Sequence, residues 1–312
     1  MSDIFDLFVR INSTGKPLTE QEKRKAIYYN SPFLQEAAKL ARNLARIFEH
    51  DLKIMSAGQI ARMKHIELVS ELMLSLHSGT VLDKKKALNK ALDANSFDNR
   101  SLKKASGLVN TVVKRLKTMF PDLKQTRFAK ITDFYALAVL VGQFEQQGLI
   151  LTNRNRNEIA WRLLKSFATK VDEINLRKKS RKAIPRDEEL YHKYWLTVIE
   201  STDSAHQRQQ RVDILRGLLS TIFERKDMNR QFSEEQRRIL FNSTNVPICT
   251  YPGCKKVLSW EDFTMDHRKP HSKGGKSILS NAALMCKPHN SAKGNRPRTK
   301  PSSRARRTAR AR

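Results

Sequence analysis

Apolar residues recur every three or four positions from the start of the chain to about residue 242, with Gly and Pro thinly spread, which predicts a succession of amphipathic helices. In residues 58–77, Ile60, Met63, Ile66, Val69, Leu72, Met73 and Leu76 fall on one stripe and Arg62, Lys64, Glu67 and Glu71 fall elsewhere, so the pattern predicts one helix with a single buried side. Residues 131–144 are apolar almost all round, which suits a central helix covered by others. Further helices are expected at about 20–29, 32–49, 101–118, 155–178, 187–200, 207–226 and 233–242. Two of these open on capping-box spacings, Thr19 with Glu22 and Ser233 with Gln236. In the helix over 101–118, Leu102, Val109, Val112, Val113 and Leu116 face inward, leaving Lys103, Lys104, Lys114, Arg115 and Lys117 as a solvated face or a track for phosphates. Trp161, Tyr191, Tyr194 and Trp195 lie within apolar stripes and read as core, whereas His50, His65, His77, His192 and His206 are scattered singly and read as structural or surface residues.

The pattern changes near Asn242. Residues 246–296 gather all three cysteines, three of the eight histidines and the turn-forming pairs Pro252-Gly253 and Gly274-Gly275. From Lys293 to Arg312 there are nine basic residues and no acidic one, so the distal part is expected to be an unfolded basic tail. The expected architecture is therefore mainly α: a helical domain over 1–242, a small metal-stapled module over 243–296 and a tail over 297–312.

Composition narrows the partner. With 60 basic against 31 acidic residues in 312, the formal charge is +29, while 39% hydrophobic content provides for a real core. A folded protein this basic is poorly suited to neutral metabolites, and nucleic acid becomes the expected partner. No stretch reaches the ~18 apolar residues of a membrane span, and Met1-Ser2-Asp3-Ile4-Phe5-Asp6 lacks the pattern of a secretion signal, so a cytoplasmic protein is expected. In a reducing compartment three cysteines serve metal binding or packing better than disulfides.

Four soft-metal donors stand on two short turns, Cys249 with Cys254 and Cys286 with His289. Converging, they would form a tetrahedral Zn²⁺ cage for a module too small to be held by its own core; the alternative is that the cysteines are merely buried. Between these turns lie Asp266-His267, Lys269-Pro270-His271-Ser272-Lys273-Gly274-Gly275 and Asn281, followed by Asn290 and Lys293. Histidine is the natural base near neutral pH, and a carboxylate with an amide oxygen can hold a hard divalent cation, so the set contains the residue types that phosphodiester hydrolysis would need.

The run Phe263-Thr-Met-Asp266-His267-Arg-Lys-Pro270-His-Ser272-Lys-Gly274-Gly275, followed by Ser280-Asn281-Ala-Ala-Leu284-Met-Cys286-Lys-Pro-His289-Asn290-Ser-Ala-Lys293-Gly294, resembles the HNH endonuclease motif of the ββα-metal fold, in its zinc-containing branch. The resemblance implies His267 as general base, Asp266 and Asn290 as ligands of a catalytic Mg²⁺ or Mn²⁺, and Asn281 as the residue fixing the loop beneath His267. Lys293, Arg296 and Lys273 would face DNA. His289 stands where that branch usually has a cysteine, and is either the fourth zinc ligand or an extra group at the active site. The first strand is expected over Phe263–Arg268, the second at Ile278 and Leu279, and a helix carrying Asn290 and Lys293 on one face closes the site.

At the other end, Phe8-Val9-Arg10-Ile11-Asn12-Ser-Thr14-Gly15-Lys-Pro17-Leu18-Thr-Glu20-Gln-Glu22, with Arg62-Met-Lys-His65-Ile-Glu67-Leu-Val69, resembles the later part of ParB-like, GmrSD-type restriction proteins. That family's Asp-Gly-Gln-Gln-Arg stretch has no counterpart here, which implies a truncated frame, a wrongly assigned start or a separate partner supplying the nucleotide-sensing half. Together the two resemblances imply a DNA endonuclease of restriction or phage defence, with oligomerisation open. The competing reading is a non-catalytic nucleic-acid-binding zinc or scaffold protein, or an inactive fragment of a restriction system, which binds DNA without cutting it.

Overall fold

Side-chain caps set where the helices begin. Thr19 and Glu22 close a reciprocal capping box at the start of α1 (Glu20–Ile27), and Ser31 accepts from the Leu34 N–H before α2 (Pro32–Arg46), whose Pro32 sits in the first turn. The computed structural model describes residues 17–94, 97–225, 227, 229–244 and 246–296. Phe8 to Lys16 of the N-terminal motif, and the basic tail over 297–312, lie outside the described residues.

The helix expected over 58–77 is two helices, α3 (Ala57–Ala61) and α4 (Lys64–Ser78). Between them Met63 adopts left-handed backbone at φ 61°, a conformation costing about 1–2 kcal/mol for a residue with a Cβ. Arg62 anchors the break by pairing with Glu22 of α1 at 2.9 Å and donating to the Pro17 carbonyl. A helix absent from the sequence reading follows, α5 (Lys84–Ala94); three lysines open it and its apolar stripe is short, with Leu88 and Leu92 buried. Then come α6 (Asn99–Met119), capped by Asp98, α7 (Ile131–Gln146), α8 (Arg154–Lys179), α9 (Glu189–Ile199), α10 (Ala205–Leu219), which stops earlier than expected, and α11 (Glu234–Asn242), which opens on the Ser233–Gln236 capping box.

The described residues form two compact units, one reaching to Gln147 and including Arg154–Phe223, the other combining Gly148–Asn153 with the chain from Glu224 onward. In the first unit α4 packs against α2, α6 and α7, and α7 against α6 and α10. As its all-round apolar sequence implies, α7 is buried from Asp133 to Phe144. Trp161 stacks on Phe120 and Tyr194 is fully enclosed, in keeping with a core role. On α6 the five inward apolar residues are buried; Lys117 pairs with Asp51 at 2.6 Å and Arg115 with Glu145 at 2.7 Å, while Lys103, Lys104 and Lys114 stay exposed. No described helix is long and apolar enough to cross a membrane.

Glu67 and Glu71, assigned by helical periodicity to polar faces, are both buried. Glu67 meets Lys64 at 2.8 Å, Lys84 at 3.4 Å and Arg24 at 3.5 Å; Glu71 meets Arg208 at 2.6 Å and Lys84 at 3.3 Å. Arg208 also bonds Asp203 and the Leu82 carbonyl, and lies 4.1 Å above the Tyr135 ring. Burial pushes the Glu71 carboxyl up, against the pull of Lys84 and Arg208, so its ionised form depends on these partners. Arg208→Ala is therefore expected to destabilise the helical unit by about 3–5 kcal/mol, because it strands a buried carboxylate. The measurement is the urea midpoint followed by helical circular dichroism, and an unchanged midpoint would show that Lys84 alone satisfies Glu71.

The second unit contains one antiparallel pair, β1 (Phe263–His267) and β2 (Ala282–Cys286), with Asp266 opposite Ala283 and His267 opposite Ala282. The second strand thus lies beyond Ile278 and Leu279: Ile278 is exposed, Leu279–Asn281 form a 3₁₀ turn, and the wholly buried Ala-Ala-Leu-Met-Cys run supplies the pairing edge. A short helix, α12 (Lys287–Lys293), follows directly, with Pro288 in its first turn. Cys249, Leu258, Phe263, Leu284, Met285 and Cys286 make the small core, onto which Leu240 and Phe241 of α11 pack. The segment from Glu224 through α11, which periodicity groups with the helical domain, therefore belongs to this unit. Arg237 of α11 fixes it there, donating to the carbonyls of Trp260 and Phe263 and lying 4.3 Å over the Phe263 ring.

Candidate active site and metal centre

Strand pairing brings the two cysteine turns together. Cys249 Sγ and Cys286 Sγ are 3.8 Å apart, His289 Nδ1 is 3.8 Å from the first and 3.2 Å from the second, and with Cys254 all four donor atoms lie within 4.8 Å of one another. A tetrahedral ion with ~2.3 Å bonds to sulfur requires sulfur edges of about 3.7 Å, so the spacing and the soft donor set fit zinc. The ring of Tyr251 stacks on His289 at 4.2 Å and 8°, holding the imidazole in that direction. Of the two roles open to His289 in the sequence, the geometry places it with the cysteines.

A separate cleft of ≈ 480 Å³ is lined by Asp266, His267 and Asn290, together with Arg230, His271 and Asn295. Strand β1 delivers the first two residues and α12 the third. Asp266 Oδ2 is buried and receives no directed hydrogen bond, although the Lys293 ammonium stands 2.5 Å away. A buried carboxylate oxygen that already attracts a cation, beside an amide in the same cleft, suits a hard divalent ion. Lys293 itself differs from its expected outward orientation. Its ammonium is buried against Asp266 and donates to the His267 carbonyl at 2.9 Å, because the single-sign pull of that strand end turns it inward. Lys273 and Arg296 are exposed.

Asn281 faces the loop and not the cleft. Its side-chain oxygen accepts from the Lys269 N–H at 2.9 Å and its amide donates to the carbonyls of Lys269 at 3.1 Å and Lys276 at 2.9 Å, closing the chain that follows His267. That closure demands glycine at 275, where a Cβ would lie 1.8 Å from the Lys269 carbonyl oxygen, and Gly274 takes left-handed backbone at φ 79°.

His267 is nearly enclosed. Its Nε2 is 2.9 Å from Ser277 Oγ, its ring is 4.4 Å from that of Phe232, and His271 lies 5.7 Å away. Burial, then the neighbouring His271, holds the imidazole below its ordinary pKa, favouring the neutral ring near neutral pH. Ser277 in turn donates to the Asn229 carbonyl, and its N–H donates to Asp227 Oδ2 at 2.6 Å. Backbone bonds from Ser277 and Asn229 keep the Asp227 carboxyl below the usual carboxylate range. Asp227, Asn229, Arg230, Phe232 and Ser277 do not stand out in the sequence; the one available signal is the polar run Asn229-Arg230-Gln231 ahead of the Ser233 cap.

No curated protein and no solved structure matches the chain. Residues 248–296, a span that holds both the zinc-type cluster and the Asp266-His267 strand end, match the family of HNH endonucleases.

Proposed function

We propose that the protein is a metal-dependent DNA endonuclease that hydrolyses phosphodiester bonds in the cleft of its C-terminal unit. The observation that carries this reading is that Asp266, His267 and Asn290, held on two different elements, line one cleft beside the Cys249–Cys254–Cys286–His289 cluster. Asp266 and Asn290 would hold Mg²⁺ or Mn²⁺. When bound, that cation supplies positive charge to the phosphoryl and leaving-group oxygens. His267 acts as general base, taking a proton from water as the water oxygen bonds to phosphorus and the bond to the 3′ oxygen breaks. The departing oxygen is protonated by solvent, leaving a 5′-phosphate. Asn281 positions the loop beneath His267, Lys273 and Arg296 meet the DNA backbone, and the +29 charge gives salt-sensitive affinity for it.

Incubation of the zinc-loaded protein with supercoiled plasmid is expected to yield nicked and then linear DNA with Mg²⁺ or Mn²⁺ and none in EDTA. Asp266→Ala is expected to lose a Mn²⁺ site measured by titration calorimetry while keeping about one zinc per chain. Salt-sensitive DNA retention with no cleavage under any divalent ion would favour the non-catalytic binding reading. A role in restriction or phage defence, and a partner carrying a nucleotide-sensing half, rest on the N-terminal motif alone. A reconstituted phage-plating assay tests them.

A further inference from the structure

The hydrogen-bond directions around His267 can be assigned from chemistry alone. Ser277 has one hydroxyl hydrogen, and it points to the Asn229 carbonyl oxygen, which can only accept. The same hydroxyl stands 2.9 Å from His267 Nε2 and has no second hydrogen to give, so there it accepts, and Nε2 must carry the ring proton. Nδ1 is then the bare nitrogen. Asp227 sets both ends of this chain: its carboxylate accepts from the N–H of Ser277 at 2.6 Å and of Asn229 at 3.0 Å. Its own carbonyl accepts from His271 Nε2 at 2.7 Å, which fixes the second cleft imidazole in the same tautomer. Phe232 covers one ring face of His267. Asp227, Asn229 and Phe232 all precede the span matching the HNH endonucleases.

We propose that Ser277, oriented by a strap of Asp227 and Asn229, is a positioning residue that holds His267 as the Nε2–H tautomer, reserving Nδ1 to receive the water proton. The proposal rests on the nuclease reading for its kinetic consequence but not for its structural one. Once Nδ1 is protonated, Nε2–H still donates to Ser277, so the proton is taken up without rearrangement of the relay. A side chain placed only for packing would not select a tautomer.

The test uses full-length, zinc-loaded protein labelled with ¹⁵N-histidine. Wild-type His267 is expected to show the Nε2–H signature, and Ser277→Ala a mixture of tautomers. Outer hydrogen-bond partners of this kind are typically worth roughly 10- to 100-fold. Ser277→Ala is thus expected to lower kcat by about that factor with KM for DNA, Mn²⁺ affinity and zinc content unchanged. Asp227→Ala should shift the tautomer in the same direction, while Ser277→Thr, which keeps the hydroxyl, should restore both readouts. These variants also decide the matter if Ser277→Ala does not fold. A wild-type ring protonated on Nδ1, or a folded Ser277→Ala or Asp227→Ala protein with wild-type tautomer and kcat, overturns the proposal. A wild-type protein with the Nε2–H signature but no cleavage overturns the nuclease reading and leaves the relay standing.

Discussion

Replacing His267 by alanine is expected to lower plasmid cleavage by about 10²- to 10⁴-fold, the usual range for removing a general base. The loss should fall on kcat, since the exposed Lys273 and Arg296, proposed to meet the DNA, and the wider basic surface are untouched. Folding should survive, because the ring is held by one hydroxyl and one aromatic face at the edge of the cleft while the six core side chains lie elsewhere in the unit. Zinc content and the unfolding midpoint are the controls. Equal nicking by mutant and wild type would mean that another group activates water, and His271, 5.7 Å away in the same cleft, would be the next candidate.

Removing zinc should have the largest effect on structure. Two of the six buried core residues of the C-terminal unit, Cys249 and Cys286, are themselves donors of the cluster, so releasing the metal disrupts the core directly. Structural zinc binding is worth on the order of 10 kcal/mol in small modules, more than such a core can replace. Chelation, or Cys286→Ser, is expected to unfold this unit while the helical unit keeps its own transition. Trp260 reports the event selectively, since it packs on Phe241 and Phe263 and beneath Arg237, whereas Trp161 and Trp195 lie in the helical unit. Its fluorescence should shift to the exposed position as zinc is released. A metal-free protein with an unchanged Trp260 spectrum and native β pairing would remove the stapling argument.

The features legible in the sequence are those governed by neighbours in sequence. Capping boxes at Thr19 and Ser233, the all-round apolar α7 and the ligand turns at Cys249 and Cys286 each depend on residues a few positions apart, and all five are found. Glu67 and Glu71 read as surface because periodicity assigns charges outward; their burial depends on Arg24, Lys84 and Arg208, which no local window contains. Lys293 turned inward for the same reason, since its partners Asp266 and His267 lie across the strand pair. The second strand differs from its expected place because Ile278 and Leu279 have strand-forming side chains, while the buried Ala282–Cys286 run begins with two alanines. The strap reaches His271 and Ser277 through the carbonyls of Asp227 and Asn229, which carry no side-chain signature, and the Asp227 carboxylate accepts from the backbone N–H groups of Ser277 and Asn229.

The chain enters the C-terminal unit twice. Ile150 N–H bonds the Glu224 carbonyl, Leu149 bridges to Arg225, and the Ile150 side chain fills the space beside Gly274, yet α8, α9 and α10 are threaded between these visits. No single cut can therefore release an intact C-terminal unit: a piece starting at residue 243 forfeits the strap and α11, and one starting at 224 still lacks Gly148–Asn153. During synthesis, Gly148–Asn153 must wait on the ribosome for more than seventy further residues to emerge before meeting its partners. The cleft lined by Asp266, His267 and Asn290 would thus be assembled only after the helical portion has been made.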